Sequence, residues 1–134
     1  MCAFYRTREG ALTAADSFTA LTSLYGQSTT GSIQVPSGST QIIGVIASVA
    51  MDSATNGAST FAIQLSGDGL SSGQETMTVA SAGVDGTPAS NGNVDLPFSM
   101  SVAIPVVGSN QVSVAAAMDT DIGTAAVSVT LVFA

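Results

Sequence analysis

Apolar and polar residues alternate along most of the chain in short runs, and Gly, Ser, Asn and Asp separate the runs. A two-residue period is the mark of half-buried β-strands, whose successive side chains point to opposite faces. Eight strands are predicted on this basis. The first runs from Ser17 to Tyr25, and the second from Gly31 to Val35, stopped by Pro36 and Gly38. The third, Thr40 to Asp52, carries Ile42-Ile43-Gly44-Val45-Ile46, which is apolar on both faces and predicts a mid-sheet strand covered on both sides. The fourth, Ser59 to Leu65, aligns Phe61, Ile63 and Leu65, and the fifth, Gln74 to Ala80, turns Met77 and Val79 inward. Residues Ser81 to Asn93 read as the longest linker, rich in Gly, Ser and Asn. The sixth strand, Val94 to Val107, puts Val94, Leu96, Phe98, Met100, Val102, Ile104 and Val106 on one face, with Pro97 and Pro105 on the other. Two prolines place it at a sheet edge or at bends, because proline donates no ladder hydrogen bond. The seventh, Gln111 to Met118, and the eighth, Thr124 to Ala134, alternate in the same way.

Helix signals are nearly absent, since Thr, Ser, Val and Ile dominate where Lys, Glu and Arg are scarce. Eight short strands with no helices to cover a parallel sheet predict two packed antiparallel sheets. The expectation is an eight-stranded all-β sandwich, a jelly roll first and an immunoglobulin-like sandwich as the alternative; the latter lacks its buried Trp and cysteine pair. The 134 residues suit one domain. It is expected over 17–134, behind an N-terminal arm over 1–16.

Charge narrows the function classes. Only 8% of residues are charged, against about 25% in an average soluble protein. There is no Lys, His or Trp; Arg6 and Arg8 are the only basic residues, and nine acids bring the net charge to −7. Two arginines cannot neutralise a run of phosphates, so nucleic-acid binding is not expected. Without His or Lys the usual general base and the Schiff-base amine are missing, and no enzyme is expected. Cys2 has no partner in its own chain, so no intrachain disulfide can form, and no His lies beside it to activate the thiol. Met1 to Gly10 lacks the apolar core of a signal peptide, and the longest apolar run, Ile42 to Met51, is too short to span a bilayer. What remains is a hydroxyl-rich neutral surface. Such a surface meets copies of itself with little charge to desolvate, so a homo-oligomer is expected.

Two segments stand out as candidate sites. Phe4-Tyr5-Arg6-Thr7-Arg8-Glu9 gathers both arginines with two aromatics, the residue types that most often anchor interfaces. Phe4, Tyr5, Arg6 and Arg8 are therefore candidate interface residues, for docking on a neighbouring subunit, an inner protein or the anionic headgroups of an internal membrane; the alternative is a frayed terminus. Asp119-Thr120-Asp121-Ile122-Gly123 places two carboxylates two residues apart, a candidate Ca²⁺ site through Asp119 and Asp121. It lacks the remaining ligands of a full calcium loop, and the alternative is a solvated turn.

From Ser17 to Ala134 the chain resembles the small single-jelly-roll structural proteins of icosahedral viruses, the capsid, penton and decoration subunits. The resemblance rests on the strand count, the Gly/Ser/Thr/Ala-rich turns, and the segment Gly31-Ser-Ile-Gln-Val-Pro-Ser-Gly38 leading into Thr40-Gln-Ile-Ile-Gly-Val-Ile46. It implies a virion location, edge-to-edge assembly with copies and other virion proteins, and no catalytic residues. Shell proteins that face a genome carry a basic inner arm, and here that arm holds only Arg6 and Arg8. The departure suits an outer decoration subunit or a shell lying on lipid. The other classes kept open are an extracellular filament or pilus subunit assembling by strand donation, and a small carbohydrate- or calcium-binding module.

Overall fold

The computed structural model describes residues 3–24, 27–28, 31–52, 57–84, 93–120 and 124–134. Among them are eleven strands and no helix: β1 (Phe4–Leu12), β2 (Thr19–Ala20), β3 (Ser23–Leu24), β4 (Gln27–Ser28), β5 (Ile33–Gln34), β6 (Gln41–Asp52), β7 (Gly57–Ser66), β8 (Gln74–Val84), β9 (Asn93–Pro105), β10 (Gln111–Met118) and β11 (Thr124–Phe133). They build two antiparallel sheets packed as a sandwich. The larger runs β4-β3-β1-β11-β6-β9; the smaller runs β2-β10-β7-β8, with β5 on the other end of β10.

The two-residue period explains the core. Val127, Val129, Leu131 and Phe133 of β11 turn inward from the larger sheet, and Val112, Val114, Phe61, Ile63 and Leu65 meet them from β10 and β7. All are essentially without solvent contact, as their alternation requires. The edge expected for the two-proline segment is found at β9, where Pro97 lies opposite Ser48 and Pro105 opposite Gln41. β6 lies inside the larger sheet as expected, between β11 and β9. Its outer face is not covered throughout, for Ile46 keeps 41% of its surface exposed.

The predicted strand Ser17–Tyr25 is broken. β2 pairs with Ala115 and Ala116 of β10, the Leu21 amide donates to the Val114 carbonyl (2.8 Å), and β5 pairs with Gln111 and Val112. β2 and β5 thus share one strand position on β10. Between them the chain leaves for the larger sheet, where β3 meets β1 at Ser23 opposite Glu9 and pairs with β4. Leu21 crosses so close to β1 that a Cβ on Gly10 would sit 3.0 Å from its Cδ2. The expected linker 81–93 is also shortened, because β8 continues to Val84, paired with Gly57–Thr60. Ladder pairing needs only backbone, so Ser81, Ala82 and Gly83 carry no strand signal of their own.

The largest correction concerns the N-terminus. Residues 4–12, expected as an arm outside the domain, form β1, paired along all nine residues with β11 and joined by β3 on its other side. The strand is anchored where Leu12 is fully buried opposite Ala125.

Candidate functional site

Opposite residues of an antiparallel pair lie on the same face, so the register with β11 fixes where each β1 side chain lies. Phe4, Arg6 and Arg8 face Phe133, Leu131 and Val129, all core residues, and therefore project from the inner face of the larger sheet. Tyr5 and Thr7, opposite Val132 and Thr130, lie on the outer face. The four candidate interface residues are thus divided: Phe4, Arg6 and Arg8 on one side, Tyr5 on the other. Phe4 and Arg6 nonetheless remain solvent-exposed, and Arg8 is half-buried. They stand at the open mouth of the sandwich, where β1 faces the β5 segment.

Arg8 bridges that mouth. Its Nε donates to the Gly31 carbonyl (3.2 Å), Nη2 to the Ser32 carbonyl (2.9 Å) and Nη1 to the Thr7 carbonyl (2.8 Å). One guanidinium so ties β1 to the start of β5, where no backbone ladder joins them. Arg6 is freer: Nη1 donates to the Tyr5 carbonyl (3.0 Å), and the guanidinium lies 5.9 Å from the centre of the Phe4 ring, within cation–π range. Neither arginine meets a carboxylate among the described residues; each hydrogen bond ends on a backbone carbonyl.

Beside the two arginines runs a groove of about 460 Å³, completed by the Ser32–Ser37 stretch, Ser109 and Gln111. Ser109 holds a φ of 71°, a left-handed conformation unusual outside glycine. Its amide bonds to the Val35 carbonyl (3.0 Å), and its own carbonyl accepts from Gln34 Nε2 (3.3 Å). Sequence reasoning found the arginines but missed the Ser- and Gln-bearing wall. Nothing local marks Gln34 or Ser109, which are 75 residues apart and meet only through the pairing of β5 with β10.

The second candidate, the acidic loop, is divided by what is described. Asp119 is placed; Asp121 lies outside the described residues, as does Cys2. Oδ1 of Asp119 accepts from the Thr60 amide (2.8 Å) and the Ser59 hydroxyl (3.0 Å), and the Ser59 hydroxyl accepts in turn from the Thr120 amide (3.1 Å). The Thr60 amide bond, followed by the Ser59 hydroxyl bond, holds the Asp119 carboxyl below its ordinary value. Those bonds close the turn after β10 onto the start of β7. Among the described residues no three His, Cys, Asp or Glu side chains gather as a metal ion would need.

No protein-family model matches the chain, and no curated protein matches it significantly.

Proposed function

We propose that this chain is a structural subunit of a virion, a jelly roll that works by assembling with copies of itself and with other virion proteins and has no catalytic role. The carrying observation is the outer face of the larger sheet. Read across β1, β11, β6 and β9, two adjacent rows of it, Tyr5-Val132-Gly44-Ser101 and Thr7-Thr130-Ile46-Ser99, hold no charge, and acids enter in the rows beyond, at the register positions of Glu9, Asp95 and Asp52. The hydroxyls of Thr7 and Thr130 are bonded to each other at 2.7 Å, which satisfies one of their two O–H donors within the sheet. An uncharged patch of this kind buries against a protein surface at little desolvation cost.

The strand order supports the jelly-roll form over the immunoglobulin-like one. With β2 and β5 counted as one position and the β3-β4 hairpin set aside, the eight positions in chain order pair as 1-8-3-6 and 2-7-4-5. First and last strands are neighbours, and the first two lie in opposite sheets. An immunoglobulin sandwich instead keeps its first two strands side by side in one sheet, whereas two interleaved Greek keys make a jelly roll.

The test is the assembly state of the purified protein, by light scattering after size exclusion and electron microscopy of any large species. Rings or closed shells are expected. Linear fibres would favour the filament subunit, and a monomer at millimolar concentration would remove self-assembly.

A further inference from the structure

The few charges of this chain are sorted by end. Each long strand runs between two ends of the sandwich. Phe4, Phe133, Gln41, Pro105 and Gln111 lie at one end, and Leu12, Thr124, Asp52, Asn93 and Met118 at the other. Both arginines stand toward the first end. Two acids share that end, each with a local hydrogen bond: Asp68 Oδ1 accepts from the Gln111 amide (3.1 Å), and Glu75 Oε1 from the Ser72 hydroxyl (2.8 Å). The second end holds four of the seven described acids and no cation. Asp52 closes β6, Asp95 lies two residues into β9, Asp119 follows β10, and Asp16 is fixed beside β10 by its amide bond to the Met118 carbonyl (2.8 Å). β10 alone separates the ends by roughly 25 Å at strand rise.

Each end also pairs its charge with an exposed phenyl ring and a hollow. At the first are Arg6 and Arg8, Phe4 (38% exposed) and the groove of about 460 Å³. At the second are Asp16 and Asp119 around Phe18 (42% exposed), beside a hollow of about 350 Å³. Arg6 spends one donor on a local carbonyl, which leaves most of its guanidinium fork unused.

We infer that the Arg6/Arg8 groove of one copy receives the Asp16/Asp119 end of a second copy, so that the subunits join head to tail. Charge complementarity selects this occupant. On a chain of net charge −7, two like acidic ends repel, and this groove is where a neighbour's carboxylates meet cations that have no carboxylate partner among the described residues. The contact uses two different surfaces, so it is heterologous and generates a ring or an open chain instead of a two-fold dimer. It rests on the self-assembly reading above and supplies that reading with its junction. Arg8 keeps the mouth of the sandwich together, so Arg6 is the position to vary.

The experiment measures association by sedimentation velocity for the unaltered protein, Arg6→Glu and Asp16→Asn, each alone and as an equimolar mixture of the two variants. Asparagine tolerates the left-handed backbone of Asp16 (φ 55°), so that variant removes charge and not the turn. Each variant alone is expected to associate at least about tenfold more weakly, and the unaltered protein to weaken steeply with added salt. The mixture is expected to stop at a dimer, because the intact groove of Asp16→Asn can hold the intact acidic end of Arg6→Glu and no second junction remains. Circular dichroism melts confirm that both variants are folded, and Arg6→Gln replaces Arg6→Glu should the reversal disturb β1. Assembly of both variants as strong as the unaltered protein's would overturn this junction and leave self-assembly standing. A monomeric unaltered protein at low salt would overturn both.

Discussion

Asp119 Oδ1 accepts two of the bonds that join the end of β10 to β7, beside the bond from its own amide to the Thr60 carbonyl (3.0 Å). Its carboxyl titrates below the ordinary value of 3.8, because the Thr60 amide and Ser59 hydroxyl favour the charged form. A group whose folded pKa is depressed adds stability that is present above its unfolded pKa and lost as pH falls through the folded one. Asp119→Asn should therefore melt below the unaltered protein near neutral pH. The gap should be constant down to roughly pH 5 and should narrow as pH drops below about 4. Thermal melts of both proteins across that range check it; a gap independent of pH would show that the ionised carboxylate is not what closes the turn. At this scale the sequence was partly legible. Two acids in a Gly-ended loop gave a metal site or a solvated turn, and what Asp119 bonds to depended on Ser59, some sixty residues earlier. Gly67 was equally silent: only the fold shows that a Cβ there would lie 2.6 Å from the Gln111 carbonyl oxygen.

At the scale of elements, legibility followed how completely a strand's inner positions are apolar. β7, β10 and β11 alternate without interruption, and their predicted bounds differ from the observed ones by at most two residues. β1 escaped because its inner face carries Phe4, Arg6, Arg8, Gly10 and Leu12; polar and small residues stand where the period demands apolar ones. Those positions are tolerated because Arg8 replaces missing ladder bonds with bonds to the Gly31 and Ser32 carbonyls, and because Gly10 leaves room for Leu21. The same logic ranks the strands by what they hold. β11 lies between β1 and β6, and Leu131 is fully buried in the shared core. Leu131→Ala should cost about 3–4 kcal/mol, the lost transfer energy plus a cavity that neighbours on both sides cannot close. Met77, half-buried on the edge strand β8, should cost only about 1 kcal/mol when cut to Ala. Urea midpoints at equal slope measure both; similar losses at the two positions would mean that Met77 on the edge strand is packed as fully as Leu131.

For the whole molecule, the decisive element is the one the sequence made look dispensable. Read as an arm, residues 1–16 could be removed from an intact domain. As β1, residues 4–12 of that stretch pair with β11 from Ala125 to Phe133, and their loss would bare a strand whose inner face is Val127, Val129, Leu131 and Phe133. Composition supplies an unusually clean probe of the difference. The chain has no lysine, and both arginines lie within β1, so trypsin has only two places to cut, after Arg6 and after Arg8. Proteases need an extended, accessible segment, so a strand hydrogen-bonded along its length is cut only through opening. Under native conditions the protein should resist trypsin for hours. Adding urea below the unfolding midpoint should accelerate tryptic cleavage in proportion to the population of opened β1. Because β1 carries part of the sandwich, the cut protein should then unfold or aggregate rather than persist as a soluble 9–134 fragment. Immediate cleavage that left a folded fragment would return residues 1–8 to the role of an arm, and would also release Arg6 and Arg8 from the groove on which head-to-tail docking depends.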